Sequence, residues 1–468
     1  MAGAGARRRP VSASMPPDPE RRPPAVSRRT STARGTIWGV EVVTHGCRLN
    51  ASESDEIRAL ARAAGHDGLV VHNSCAVTGE AVAALRRAIR RSARERPGAR
   101  IVVTGCAAHT DGAALAAMPE VTAVIGNAEK LDAGSWTGAP DFGLAGEERL
   151  RVAPIEAVRE MAPHMAARAA GGPDGRVRAF LAVQNGCDHA CTFCIIPKGR
   201  GRARSVPMGA AVEGARRLAG EGRSEIVLTG VDLTSWGGDL PGAPRLGDLV
   251  QAILAHVPDL PRLRLSSIDS VEADPALMDA LGDPRLMPHM HLSLQHGHDL
   301  ILKRMKRRHG RDDALRICAE MRARRPDIAL GADLIAGFPT ETDAHHAASL
   351  GLIEACGLVH VHVFPFSPRE GTPAARMPPV PRPVARARAA ELRAAAKAGL
   401  RAHLDARIGG TDEIVVHRGR TEGGERTGLA RDFCRVVLPD GRGAEPGSRI
   451  EVGIVARRGE SLVARALR

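Results

Sequence analysis

The stretch NGCDHACTFCIIP, residues 185–197, carries three cysteines, Cys187, Cys191 and Cys194, in the spacing CxxxCxxC, directly after the strand-like run RAFLAVQNG. One loop of this length can wrap the corner of a metal cluster, and thiolates are the natural ligands there. Three thiolates on a four-iron cluster leave one iron open to another ligand. A zinc knuckle with His189 as fourth ligand is the alternative reading of the same residues. It leaves unexplained why the loop stands at the mouth of a βα array.

That array extends outward from the loop. RAFLAVQNG, EIVLTGV, RLRLSSI, HMHLSLQ, ALGADLIAGFP and VHVHVFPF alternate with helical segments from Val177 to about Ser367. Six βα units predict a partial (βα)6 barrel of parallel strands, with reactive loops at the strand C-terminal ends. Upstream, from Thr36, a second series of strands and helices predicts a small parallel α/β domain over 36–131: IWGVEVVTHGC, SESDEIRALARAAG, DGLVVHNSC, EAVAALRRAIRRSARERPG and ARIVVTGC. Residues 132–175, rich in Gly and Pro, read as a linker. Downstream, RMPPVPRPV breaks the pattern ahead of the helix ARARAAELRAAAKAGLRAHL. Short strands with Gly turns then predict a small β-barrel over 403–468, leaving 176–402 to the central domain.

Cys47, Cys75 and Cys106 each end a strand of the first α/β domain. The C-terminal ends of a parallel sheet share one edge, where ligands of open α/β folds gather. Three thiols converge there, which suits a second four-iron cluster with an open iron. A zinc site completed by His45, His72 or His109 is the alternative, and three separate buried thiols a weaker one. Cys318, Cys356 and Cys434 lack metal spacing and read as core.

Composition narrows the classes. Nine Cys in 468 residues are too few for a disulfide scaffold. The absence of any apolar run of roughly 18 residues gives the expectation of a soluble cytoplasmic protein without a membrane partner. The formal charge is +13, but residues 1–35 alone hold eight Arg against Asp18 and Glu20. That Pro/Ser/Arg-rich segment reads as a disordered, solvated leader more than as an RNA arm. Lys198, Arg200, Arg202 and Arg204 follow the cysteine loop at every second residue, so on an extended segment they share one face and can meet RNA phosphates. The C-terminal module has twelve Arg against ten acids and one aromatic, Phe433, which makes it a poor platform for stacking bases.

CxxxCxxC at the mouth of a partial barrel resembles the radical S-adenosylmethionine (SAM) superfamily. Both cysteine sets, in this order and followed by a small β-module, resemble the methylthiotransferase family. THGCRLNASESD, NSCAVTGEAV, VTGCAAH, NGCDHACTFCIIPKGRGRARS, LTGVDLTSWGGD, HLSLQHGHDLILKRMKRR and DLIAGFPTET carry that likeness. It implies two 4Fe-4S clusters, one on Cys47, Cys75 and Cys106 that holds or delivers sulfur, and one on Cys187, Cys191 and Cys194 that cleaves SAM. It also implies a C-terminal TRAM-like domain that binds RNA, tRNA as substrate, a reductant such as flavodoxin or ferredoxin, and a sulfur donor. By the same likeness Phe193 contacts the adenine of SAM, while Gly230 and Asp232, in LTGVDL, meet its methionine end. The bland alternatives are core packing for Phe193 and a strand-end turn for the other two. GCRLN and HLSLQ with KRMKRR look most similar to the enzymes acting on threonylcarbamoyladenosine beside the anticodon. The isopentenyladenosine and ribosomal-protein aspartate enzymes are the alternatives within the family, and a zinc-containing RNA-binding protein is the alternative outside it.

Overall fold

The computed structural model describes residues 30, 31, 36, 37, 39–137, 149–159, 161, 177–441 and 443–467. Nearly all of the basic leader and much of the expected linker lie outside these residues.

The first domain is a five-stranded parallel sheet in sequential order: β1 (Glu41–Thr44), β2 (Leu69–Ser74), β3 (Arg100–Gly105), β4 (Ala123–Ile125) and β5 (Leu150–Arg151). Adjacent residues of one strand feed two separate cores. Val71 and Val102 pack with Ile57 of helix α1 (Arg48–Ala63), while Val70 and Val103 pack with Leu85 and Ile89 of helix α2 (Gly79–Glu95). Both faces are thereby covered, which is why these strands read as continuous apolar runs. Strand β5 falls within the stretch expected to be a linker. Two residues give no periodicity, so only pairing with β4 makes them a strand.

The central domain has six parallel strands: β6 (Arg178–Ala182), β7 (Glu225–Thr229), β8 (Leu263–Leu265), β9 (His289–Gln295), β10 (Ala329–Ala336) and β11 (Leu358–Pro365). They form two three-stranded sheets, joined by single bridges Leu263↔Leu286 and Ile268↔Leu292. This is the expected partial barrel, with β6 and β11 as free edges. Leu181, Ile226, Leu228, Leu263, Leu292, Leu330 and Leu334 point outward into one large core. Strand alternation therefore turns Phe180, Arg264, His289, His291, Asp333, His360 and His362 to the inner face.

Helix α3 (Arg382–Ala406) leads to a closed five-stranded barrel. Its strands are β12 (Thr411–Arg420), β13 (Arg426–Ala430), β14 (Arg435–Leu438), β15 (Arg449–Arg458) and β16 (Ser461–Ala466). Phe433, between β13 and β14, has φ +72°, an uncommon conformation for a bulky residue. Its ring stacks on His289 at 4.6 Å. The guanidinium carbons of Arg264, Arg178 and Arg48 lie 5.1, 5.4 and 5.5 Å from its centroid. The aromatic considered for base stacking is thus turned into the central barrel, where residues of all three domains meet. Cys318, Cys356 and Cys434 are core residues, as expected.

Candidate active site

Three adjacent parallel strands explain the first cysteine set. Cys75 and Cys106 immediately follow β2 and β3, and Cys47 caps the N-terminus of α1 just beyond β1. Gly46, at φ +97°, lets the first loop close on Cys75, since a Cβ there would stand 2.6 Å from the Cys75 Cβ. All three thiols are free. Burial, then the charges of Cys106 and Cys47, push Cys75 up to about 12. A thiol held this far from ionising becomes a thiolate when a metal takes it.

Each histidine considered as a zinc ligand has one ring nitrogen in another contact. His45 Nε2 and His72 Nδ1 pair at 3.0 Å, and His109 Nε2 accepts the Asn127 backbone N–H at 2.9 Å.

The second set lies beyond β6, in a loop closed by antiparallel pairing of Gln184–Asn185 with Arg204–Ser205. The Cys187 N–H donates to the Gly201 carbonyl at 3.0 Å, and the Thr192 N–H to the Met305 carbonyl at 3.1 Å. Arg307, which anchors on Asp269 at 2.6 Å, points Nη1 at the Cys191 sulfur, 3.5 Å away. Burial raises Cys187 and pushes Cys194 up to about 12. Cys187 Sγ, His189 and Asp232 come within 4.8 Å of one another, while Cys191 and Cys194 stand outside that group. A zinc knuckle would need them inside it.

Hydrogen bonds that His189 donates to Asp232 and Glu272 push its imidazole up to about 10. Asp232 accepts from His189 at 2.9 Å and from Cys187 Sγ at 3.5 Å. Gly230 packs on Gln184, whose Oε1 accepts the Val231 and Asp232 N–H groups, both at 2.9 Å. Gly230 and Asp232 therefore stand beside the cysteine loop, with a carboxylate turned towards it. Phe193 lies edge-on to Phe338, with ring centroids 6.5 Å apart. That is the packing alternative, and it keeps Phe193 beside Cys194.

Arg200 and Arg204 do not form the phosphate-facing row expected of them. Residues 196–200 are helical, which ends the every-second-residue register, and Arg200 and Arg204 are 2 % and 4 % exposed. Lys198 and Arg202 do face solvent. Arg204 donates to the carbonyls of Arg200 and Arg202 at 2.9 and 3.0 Å. Arg200 donates through Nε to Cys106 Sγ at 3.2 Å and through Nη1 to Glu53 Oε1 at 2.7 Å, and it also reaches Asn50 and Asn185. Lys130 closes the network on Glu53 at 2.6 Å. Burial alone would raise Glu53, but Arg200 and Lys130 outweigh it and hold the carboxyl at about 2.

Gly199 adjoins the same contact, since a Cβ on it would lie 3.2 Å from the Cys106 Cβ. The segment that follows the second cysteine set is thus held against Cys106 of the first across the domain boundary. Each set has one guanidinium on a sulfur, a donor set suited to anionic thiolate clusters. Asn50, Glu53, Lys130 and Arg307 were not singled out from the sequence. Asn50 and Glu53 stand three and six residues after Cys47, a helical spacing that places them on one face.

The Radical SAM superfamily model matches residues 181–353, and that of Uncharacterized protein family UPF0004 matches residues 39–126. The threonylcarbamoyladenosine tRNA methylthiotransferase MtaB of Rickettsia prowazekii is 46% identical over 75% of this chain and 82% of its own. The tRNA-2-methylthio-N(6)-dimethylallyladenosine synthase of Cereibacter sphaeroides is 34% identical over 90% and 97%. The chain belongs to the radical SAM methylthiotransferases. Among solved structures, the radical SAM methyltransferase TsrM of Kitasatospora setae, with cobalamin and a [4Fe-4S] cluster bound, shares the fold at TM-score 0.51 and 16% identity over 70% of each chain. Like other radical SAM proteins, this methylthiotransferase is an iron–sulfur and SAM enzyme. Among its described residues no helix is long and apolar enough to cross a membrane.

Proposed function

We propose that this protein attaches a methylthio group to carbon 2 of threonylcarbamoyladenosine beside the anticodon of tRNA. The observation that carries the reading is the contact of Arg200, six residues after Cys194, with Cys106 of the other triad. A sulfur-bearing centre and a radical-generating centre must reach the same adenine, because carbon 2 is unactivated towards polar substitution. In this reading Cys187, Cys191 and Cys194 hold one 4Fe-4S cluster, and Cys47, Cys75 and Cys106 hold a second.

When bound, these groups supply reductive cleavage of SAM and the sulfur to be transferred. The chain's own residues bind and shield. Asp232 offers a carboxylate to the SAM ammonium, Gly230 a close-packed backbone edge, and Phe193 an apolar side for the adenine. Arg307 and Arg200 balance thiolate charge. Phe433 closes the barrel at the N-terminal ends of β6 and β9, which excludes water from that side. Lys198 and Arg202 are the exposed cations of the cysteine loop and serve tRNA phosphates. A low-potential reductant such as flavodoxin or ferredoxin and a sulfur donor complete the partners.

The relatives also include dimethylallyladenosine enzymes, which supply the second reading, whereas methylthiolation of a ribosomal-protein aspartate is an alternative only through membership of the family. Purified protein, reconstituted anaerobically and given tRNA bearing each nucleoside, separates the first two. The reading requires methylthiolated threonylcarbamoyladenosine as the main product.

A further inference from the structure

The inner wall of the barrel carries a polar group that no step above uses. Asp333 of β10 accepts from His291 Nε2 of β9 at 3.0 Å and from His362 Nδ1 of β11 at 3.1 Å, both on Oδ1. The three residues stand side by side because Asp333 pairs with His362, and His291 with Gly331, in the parallel registers. The His291 and His362 rings are 4.7 Å apart. Against the effect of burial, the two imidazoles keep Asp333 below the usual carboxylate range.

Burial is graded across the group. The His291 side chain is 7 % exposed and that of Asp333 25 %, while His362, on the free edge strand, is 55 % exposed. Strand β11 and the opposite edge β6 bound the lateral opening of the barrel, and α1 lies against β6, with Ser52 Oγ donating to the Phe180 carbonyl. Arg48, next to Cys47, enters the same interior and reaches Phe433. The chamber is therefore bounded by Arg48 and by the wall of β9 to β11, and the cysteine loop sets out from the end of β6 beside it. With Nδ1 committed to Asp333, Nε2 is the ring atom of His362 left for a ligand.

Carbon 2 and the N6-bearing carbon of adenine both flank N1. An adenine whose carbon 2 faces the cysteine sets therefore presents its N6 group on the same ring edge, where this chamber can receive it. We infer that His362, oriented by Asp333, reads the N6 substituent and selects the hydroxyl- and carboxylate-bearing threonylcarbamoyl group over an apolar dimethylallyl group. This rests on the tRNA reading above and deepens it. The exposed Nε2 accepts from a hydroxyl or amide N–H when the ring is neutral, and donates to a carboxylate when the ring is protonated. A dimethylallyl group in the same place offers neither partner and desolvates an Asp–His pair without compensation. Sites built to hydrogen-bond a substrate reject analogues lacking the group far better than apolar pockets reject polar ones.

The test uses the full-length, reconstituted protein and anticodon stem-loops bearing threonylcarbamoyladenosine, dimethylallyladenosine or plain adenosine at the same position. Dissociation constants without SAM, and kcat/KM with it, are measured for wild type, His362→Phe, His362→Gln and Asp333→Asn, with iron content and melting temperature as folding controls. Wild type should favour the threonylcarbamoyl stem-loop over the dimethylallyl one by roughly a hundred-fold. His362→Phe should lower that ratio at least about ten-fold in both measurements, and His362→Gln, which keeps a polar tip, should retain more of it. If wild type is selective and His362→Phe, folded and loaded, keeps the full ratio, the inference is overturned and the proposed function stands. If wild type methylthiolates neither stem-loop, the proposed function falls and the inference with it.

Discussion

Arg200 and Cys106, 94 residues apart and on different domains, meet at 3.2 Å, with the guanidinium Nε donating to the sulfur. This contact ties the first cysteine set to the segment that follows the second. It also leaves an arginine buried beside Glu53 and Lys130, so the electrostatics of the interface and of the chemistry are one network.

Glu53→Gln should destabilise the protein by about 3–5 kcal/mol, because Arg200 and Lys130 would remain buried with no anion to pair. Urea unfolding of the metal-free protein measures this. Glu53 is held at about 2 against an ordinary value of 4.5. Its contribution is therefore complete above pH 4.5 and fades as the pH falls towards 2, and the variant should lack that part of the acid dependence. Equal stability of variant and wild type at pH 7 would mean the network is not needed.

Alanine at Cys187, Cys191 or Cys194 should abolish reductive SAM cleavage, since a cluster missing a ligand cannot present its open iron. Chromatography of 5′-deoxyadenosine, set against iron-free protein, is the readout. Cleavage above that background from any of the three contradicts the assignment.

Alanine at Cys47, Cys75 or Cys106 should leave SAM cleavage measurable, remove the methylthio product, and lower iron content from about eight to about four per chain. Iron analysis and Mössbauer spectroscopy follow the loss. Full methylthiolation by these variants would show that the sulfur-bearing centre lies elsewhere.

Replacing Lys198 and Arg202 by Gln should weaken tRNA binding and flatten its salt dependence by roughly 0.7–0.9 in log–log slope per lost phosphate contact. Filter binding across a salt series reads this. Arg200 and Arg204 are buried, so changing them should act on stability. An unchanged slope for the double variant would place the tRNA surface on other cations.

Phe433→Ala should loosen the C-terminal barrel from the catalytic one, because the ring packs on His289 and beside three guanidiniums. Faster proteolysis between Leu404 and Thr411 is the expected sign, and an unaltered cleavage pattern would show that the rest of the interface suffices.

Much of this was legible in the sequence because the determinants are local. Strand ends such as VVHNSC and VVTGC put Cys75 and Cys106 on a shared edge once the sheet is parallel, and the short CxxxCxxC loop needs no tertiary knowledge to be read. Arg200 is illegible in the sequence for the opposite reason. Alternation in KGRGRAR implies one face only on an extended chain, and a helical turn over 196–200 with an acid supplied from 147 residues away reversed its environment. Strand β5 has no pattern of its own, and the role of Asp333 depends on the register of three strands, which periodicity does not encode.

The central claim is tested most directly by the nucleosides of total tRNA from a strain lacking this protein, analysed by liquid chromatography and mass spectrometry beside its parent and a complemented strain. The account predicts that 2-methylthio-threonylcarbamoyladenosine disappears, its unthiolated precursor accumulates, and 2-methylthio-dimethylallyladenosine is unchanged. Undiminished 2-methylthio-threonylcarbamoyladenosine in the deletion strain would contradict it.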